Sequence, residues 1–325
     1  VLTPVEAAFF RDFDPYGFIL FARNVESPAQ VAQLCADLRA AVGRDAPILI
    51  DQEGGRVQRL RGPYWREWAP PLDTALWAGP DAARAMALRA QIICHELRAL
   101  GIDANCAPVG DIAGPQTHPF LHNRCYGTDA ASVTEIARAV ADAHLTAGVL
   151  PVMKHLPGHG RAAGDTHIDL PRVSSPLADL QETDFAPFAA LRDLPMAMTA
   201  HIIFDAIDPN RPATQSPAVI ATIRTLIGFD GLLITDDLNM QALSGDLGSR
   251  AALSMAAGCD IALHCKGEMR EMQQIAANAG DMRADTRARA GAALMRRAVP
   301  TPVDIAAQEA EFSHLTQGRG LILGA

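Results

Sequence analysis

The chain lacks any uncharged apolar stretch of about 18 residues, the minimum for a helix that spans a bilayer, so no transmembrane helix is expected. It also lacks a surplus of basic charge: Lys and Arg total 28 and Asp and Glu total 37, a net of −9. Phosphate neutralisation needs excess cations, so a general nucleic-acid binder is excluded. No Cys-x-x-Cys pair occurs among Cys35, Cys94, Cys106, Cys125, Cys259 and Cys265. Most of these lie in apolar surroundings, which argues against a disulfide framework or zinc site and for a reducing compartment. The opening Val1-Leu2-Thr3-Pro4 soon meets Glu6, Arg11 and Asp12, without the basic start and apolar middle of a signal peptide. The expected location is the cytoplasm. An initiating Met is missing as well, so further residues are expected upstream. No GxGxxG or GxxxxGK follows an early apolar run, which disfavours a nucleotide-binding open sheet.

What the chain does have is apolar mass in short runs. The apolar fraction of 49% rules out wholesale disorder. Residues 18–21, 48–50, 104–107, 149–153, 196–199, 232–235 and 261–263 are short, near-continuous apolar stretches, as suits strands covered on both faces. Helical patterns lie between them. Ser27-Pro28 with Gln30 reads as a capping-box start, followed by Val31, Leu34, Leu38 and Val42 at helical spacing. Residues 81–100 and 132–147 read as two further helices. Gly101, Gly148 and Gly258, and less directly Gly231, end helical runs as left-handed residues would. Repeated strand–helix units without a dividing linker predict a single α/β domain of the (β/α)8 TIM-barrel type over residues 1–300. Residues 301–325 are expected to be a C-terminal tail that packs on the barrel or trails from it. Seven runs leave one strand to find. It is expected upstream of Val1, with Leu321-Ile322-Leu323 as the weaker candidate for the slot.

Reactive side chains fall where these runs stop. Arg23, Asp51, Asp111, Lys154 with His155, His201, Asp236 with Asp237, and His264 follow the seven runs in turn. In a barrel these ends converge on the catalytic face. The loop from Lys154 to His167 is the densest feature, with three His, three Gly, Pro157 and Asp165. Asp165 is two residues from His167, close enough to fix its tautomer and favour general acid–base work near neutrality. The same residue types also suit a metal, so a metal-dependent barrel hydrolase using His155, His159, His167, His201 and Asp236 stays open. At 235–240, an aspartate at the strand tip could act as nucleophile, while its neighbour caps a helix or pairs with a base. Spacing alone does not choose between Asp236 and Asp237. Arg56, Arg59, Arg61 and Arg124 suit hydroxyl-rich or anionic ligands. Trp65, Trp68 and Trp77 suit sugar stacking, with packing the more common use.

Three strings, Asp51-Gln52-Glu53-Gly54-Gly55-Arg56-Val57-Gln58-Arg59, Lys154-His155-Leu156-Pro157-Gly158-His159-Gly160 with Asp165-Thr166-His167 beyond it, and Ile234-Thr235-Asp236-Asp237-Leu238-Asn239-Met240, resemble the family-3 glycoside hydrolases. More narrowly they resemble the NagZ-type β-N-acetylglucosaminidases of bacterial peptidoglycan recycling. Residues 17–24, 123–126, 200–201 and 228–231 match too, and the likeness runs from Leu2 to Cys265. The resemblance implies a retaining mechanism with Asp236 as nucleophile, His167 as acid/base and Asp165 as its orienting partner. It implies that Asp51, Arg59, Arg124, Lys154 and His155 hold a terminal N-acetylglucosamine of a muropeptide. It implies no metal and no cofactor. The departures, Leu156 for the usual Phe and Thr166, Asn239 and Cys125 for the usual Ser, remove no reacting group. The missing second domain of many family β-glucosidases favours a glucosaminidase.

Overall fold

A computed structural model describes residues 1–162 and 170–322 of the protein. Each of the seven apolar runs forms a strand: β1 (Phe18–Leu20), β2 (Ile48–Ile50), β3 (Ala104–Asn105), β4 (Leu150–Leu156), β5 (Met196–Thr199), β6 (Leu232–Asp237) and β7 (Ile261–Leu263). All their pairings are parallel. Helices follow the strands, so the class is parallel α/β, as the alternation predicts. Among the described residues no helix is long and apolar enough to cross a membrane. The chain divides into two compact units, and β4 contributes Leu150 and Pro151 to the first and its remaining residues to the second.

The first unit comprises Val1–Ala107, Ala139–Pro151 and the chain from Leu294. Its register sets Ile19 beside Leu49, Leu49 beside Ala104 and Ala104 beside Leu150. Ile48 and Ile50 of β2 are fully buried, as are Leu88 and Ile92 on the helix Ala82–Ala99. Helix Pro28–Val42 buries Val31, Leu34, Cys35 and Leu38. Its cap differs from the expected box. Gln30 N–H donates to Ser27 Oγ at 3.3 Å, but the Gln30 side chain turns to the Glu26 N–H at 2.9 Å. Helix Ile305–Leu315 packs on helix Ala82–Ala99, so this part of the C-terminal segment is folded. Leu321–Ile322 pairs antiparallel with Glu67–Trp68, which corrects the idea that it completes the parallel set. Trp65 and Trp68 are buried, and Trp68 meets Phe312 edge-on at 5.3 Å. That is packing and not a stacking platform for sugar.

The second unit comprises Pro108–Arg138 and Val152–Ala293. Val152 and Met153 of β4 pair with Met196 and Ala197 of β5, which pair in turn with Leu232 and Leu233 of β6. Ile234 pairs with Ile261 of β7, and the register then shifts before Asp237 meets Leu263. Gly101, Gly148 and Gly258 adopt the left-handed conformations expected of them, with φ of 80°, 71° and 113°. Gly231 does not. Gly228 takes that role at φ 79°, while Gly231 is small because a Cβ would lie 2.6 Å from the Phe229 ring and 2.7 Å from the Leu194 carbonyl oxygen.

Candidate active site

The second unit gathers Arg124, Lys154, His155 and Asp236 around the C-terminal ends of β4 and β6. The segment after Ala107 runs beside β4: Lys154 N–H donates to Pro108 O at 3.0 Å, and Gly110 N–H donates to Lys154 O at 2.7 Å. This pairing carries Asp111 to His155. Asp111 Oδ2 lies 2.7 Å from His155 Nδ1, and Asp111 Oδ1 accepts the His159 N–H at 2.7 Å. Burial pushes the Asp111 carboxyl up, but the His155 ring and the His159 N–H outweigh it and hold the group below the usual carboxylate range. Arg124 follows the short helix Pro119–His122 and is buried, with its guanidinium 5.0 Å from the Phe120 ring centroid. Its Nη2 lies 3.4 Å from His155 Nε2. Lys154 is 2% exposed. The turn beyond needs glycine at 160, because a Cβ there would run into the Ile112 backbone.

The adjacent aspartates at the end of β6 have different surroundings. Asp237 Oδ1 accepts the N–H groups of Asn239 and Cys265 at 3.0 and 3.2 Å, so this carboxyl ties down two loops. Burial raises its pKa. Asp236 is half-buried, and its Oδ1 accepts the Asp237 N–H at 2.8 Å. Burial pushes Asp236 up as well, yet His201, His155, the Asp237 N–H and Lys154 together hold it below its ordinary value. Burial also lowers the His201 pKa, which favours a neutral ring. His201 Nε2 donates to the Asp237 carbonyl at 3.0 Å, and its Nδ1 is 2.8 Å from Thr214 Oγ1. A carbonyl only accepts, so the proton sits on Nε2 and the ring clamps the backbone beside Asp236.

Asp51 and Arg59 belong to the first unit and form an ion pair at 2.9 Å. Arg59 lies over the Phe21 ring at 5.0 Å, and Arg23 lies at 4.8 Å from the same ring. Gln52 Oε1 holds the N–H groups of Arg59 and Leu60, and Asn105 Oδ1 in turn accepts the Gln52 N–H. Arg61 is committed elsewhere, to Glu67 at 3.2 Å and the Gly55 carbonyl at 2.9 Å, so its reading as a ligand-facing guanidinium is not supported. Asp165 and His167 lie outside the described residues. In the sequence Asp111 reads as a strand-end residue, and no motif marks it as a site residue. Its contact with His155 joins positions 44 apart in sequence, and no local pattern signals that.

Residues 12–293 match the glycosyl hydrolase family 3 N terminal domain. A beta-hexosaminidase of Methylococcus capsulatus is 40% identical over 256 residues, covering 77% of this chain and 75% of its own length. NagZ from Neisseria gonorrhoeae, solved in complex with N-trifluoroacetyl-D-glucosamine, superposes with a TM-score of 0.82 at 27% identity, over 97% of this chain and 93% of that one. A family 3 β-N-acetylglucosaminidase from Paenibacillus superposes with a TM-score of 0.84 at 29% identity, over 95% of this chain. The chain spans 64% of that larger protein's length. A match over most of the sequence, and close relatives by sequence and fold, place the chain in glycosyl hydrolase family 3, and it is a glycoside hydrolase.

Proposed function

We propose that the protein is an exo-acting, retaining β-N-acetylglucosaminidase that removes terminal N-acetylglucosamine from peptidoglycan-derived muropeptides in the cytoplasm. The observation that carries this reading is the Asp236 carboxylate at the tip of β6, in the same unit as Lys154 and His155 and with its Oδ1 accepting the Asp237 N–H. Breaking a glycosidic bond through an oxocarbenium-like transition state needs an anion beneath the anomeric carbon and a proton donor at the leaving oxygen. In this reading Asp236 attacks C1 and forms a glycosyl ester, while His167, oriented by Asp165, gives its proton to the departing oxygen. His167 then takes a proton from water as the water attacks C1, and the ester bond breaks to regenerate Asp236. The commitment of Asp237 to two backbone N–H groups supports Asp236 as the nucleophile. Arg124, Lys154 and His155 hold the sugar hydroxyls, and Asp51 with Arg59 are assigned to sugar binding by the motif they share with the family. The NagZ structure with a glucosamine derivative supports the sugar assignment. The same reading takes residues 1–300 as an eightfold barrel and 301–325 as its extension.

The test is hydrolysis of an aryl β-N-acetylglucosaminide. Asp236→Ala is expected to lower kcat by on the order of 10⁴-fold, as loss of a covalent nucleophile does. NMR of the wild-type reaction should show the β-anomer released first. Full activity in Asp236→Ala, or first release of the α-anomer, overturns the assignment.

A further inference from the structure

Asp111 is a buried carboxylate beside the C-terminal end of β4, and the proposed reaction gives it no role. Asp111 is 1% exposed and makes three contacts to one short stretch of chain. Its Oδ2 meets the His155 ring at Nδ1, and its Oδ1 accepts the His159 N–H and, at 3.4 Å, the His155 N–H. On its far side, the His155 ring presents Nε2 to Arg124 Nη2. A guanidinium nitrogen only donates, and a carboxylate without a proton only accepts. One tautomer satisfies both neighbours: the proton on Nδ1 and the lone pair on Nε2.

We propose that Asp111 is a positioning residue that locks His155 in its Nδ1–H tautomer, so that Nε2 offers a lone pair to a sugar hydroxyl. This rests on the reading of His155 as a sugar-binding residue, and it adds a specificity rule. At this position the site accepts a hydrogen bond from the substrate in place of the long, 3.4 Å contact from Arg124 Nη2, and it disfavours a sugar lacking that hydroxyl, which cannot make this exchange. The loop from His155 to His159 is set by the same carboxylate, so ring orientation and backbone course are fixed together.

The isosteric variant Asp111→Asn separates this role from mere packing. Its amide oxygen can still accept the His159 N–H. The amide NH₂ must then face His155 Nδ1, which forces the ring proton to Nε2 and against the Arg124 N–H. Three measurements test this. In enzyme labelled with ¹⁵N-histidine, the wild-type His155 should show a protonated Nδ1 and a bare Nε2, and Asp111→Asn should reverse them. KM for the aryl glycoside should rise about 10- to 100-fold, with kcat changed less than about threefold, as for lost binding common to ground and transition states. In a His155→Ala background the same substitution should add no further loss. A wild-type ring protonated at Nε2 overturns the proposal by itself, even if Asp111→Asn fails to fold. So does an equal Asp111→Asn penalty with and without the His155 ring. Absence of glucosaminidase activity in the wild type would instead sink the functional reading, while the tautomer measurement would still stand.

Discussion

Removing the Asp260 carboxylate should destabilise the second unit without touching the chemistry. Asp260 precedes β7, its side chain is wholly buried, and its Oδ2 accepts the Leu233 N–H at 3.0 Å and Arg224 Nη2 at 2.7 Å. Its Oδ1 accepts from Thr286 Oγ1 at 2.7 Å and Arg289 Nη1 at 3.1 Å. Arg283 and Arg289 are partly exposed and also pair with Asp285, so their share is small. Arg224 is 16% exposed and the Leu233 N–H lies inside β6, so these two groups dominate the loss. Deleting one partner of a buried pair costs about 3–5 kcal/mol, because the remaining charge and donors stay behind without compensation. With an m-value of about 3 kcal/mol/M for urea, the midpoint for Asp260→Ala should fall by about 1.0–1.7 M. The clamp grips the start of β6, and Asp236 lies near the other end of the strand, so kcat of the folded variant should stay within about threefold of wild type. Circular dichroism in urea and steady-state hydrolysis at low temperature are the assays. A midpoint shift below about 0.3 M, or a kcat loss as deep as that of Asp236→Ala in fully folded enzyme, refutes the reasoning.

Three further outcomes are expected. Replacing His167 by Ala should slow turnover of a natural disaccharide far more than that of a dinitrophenyl glycoside, because a good leaving group needs little protonation; equal losses count against the acid role. Stability should fall as pH drops from about 6.5 towards 4. Burial lowers the pKa values of His144 and His159 to about 4, so in this window the unfolded chain binds protons that the folded chain does not. Each ring can contribute up to about 3 kcal/mol, fully present above 6.5, and a flat urea midpoint from pH 6.5 to 4.5 contradicts this. Exhaustive chelation should leave kcat/KM unchanged; a loss restored by a divalent cation would favour the metal-dependent reading instead.

The sequence by itself determined the strand–helix alternation, because continuous apolar runs such as Ile48–Ile50 and Met196–Thr199 are stable only when both faces are covered. It also placed the Ser27 cap and the left-handed Gly101, Gly148 and Gly258, each dictated by local backbone geometry. The motifs named the family for the same reason: contiguous residues carry them. Tertiary structure decided what depends on partners distant in sequence. Asp237 is distinguished from Asp236 by the N–H of Cys265, 28 positions on. Leu321–Ile322 goes to Glu67–Trp68, a pairing no periodicity encodes. Asp111 reaches His155 through a backbone pairing between separate segments. Apolar spacing shows which face of an element is buried, whereas the bond a buried carboxylate makes depends on which donor the rest of the chain brings within about 3 Å.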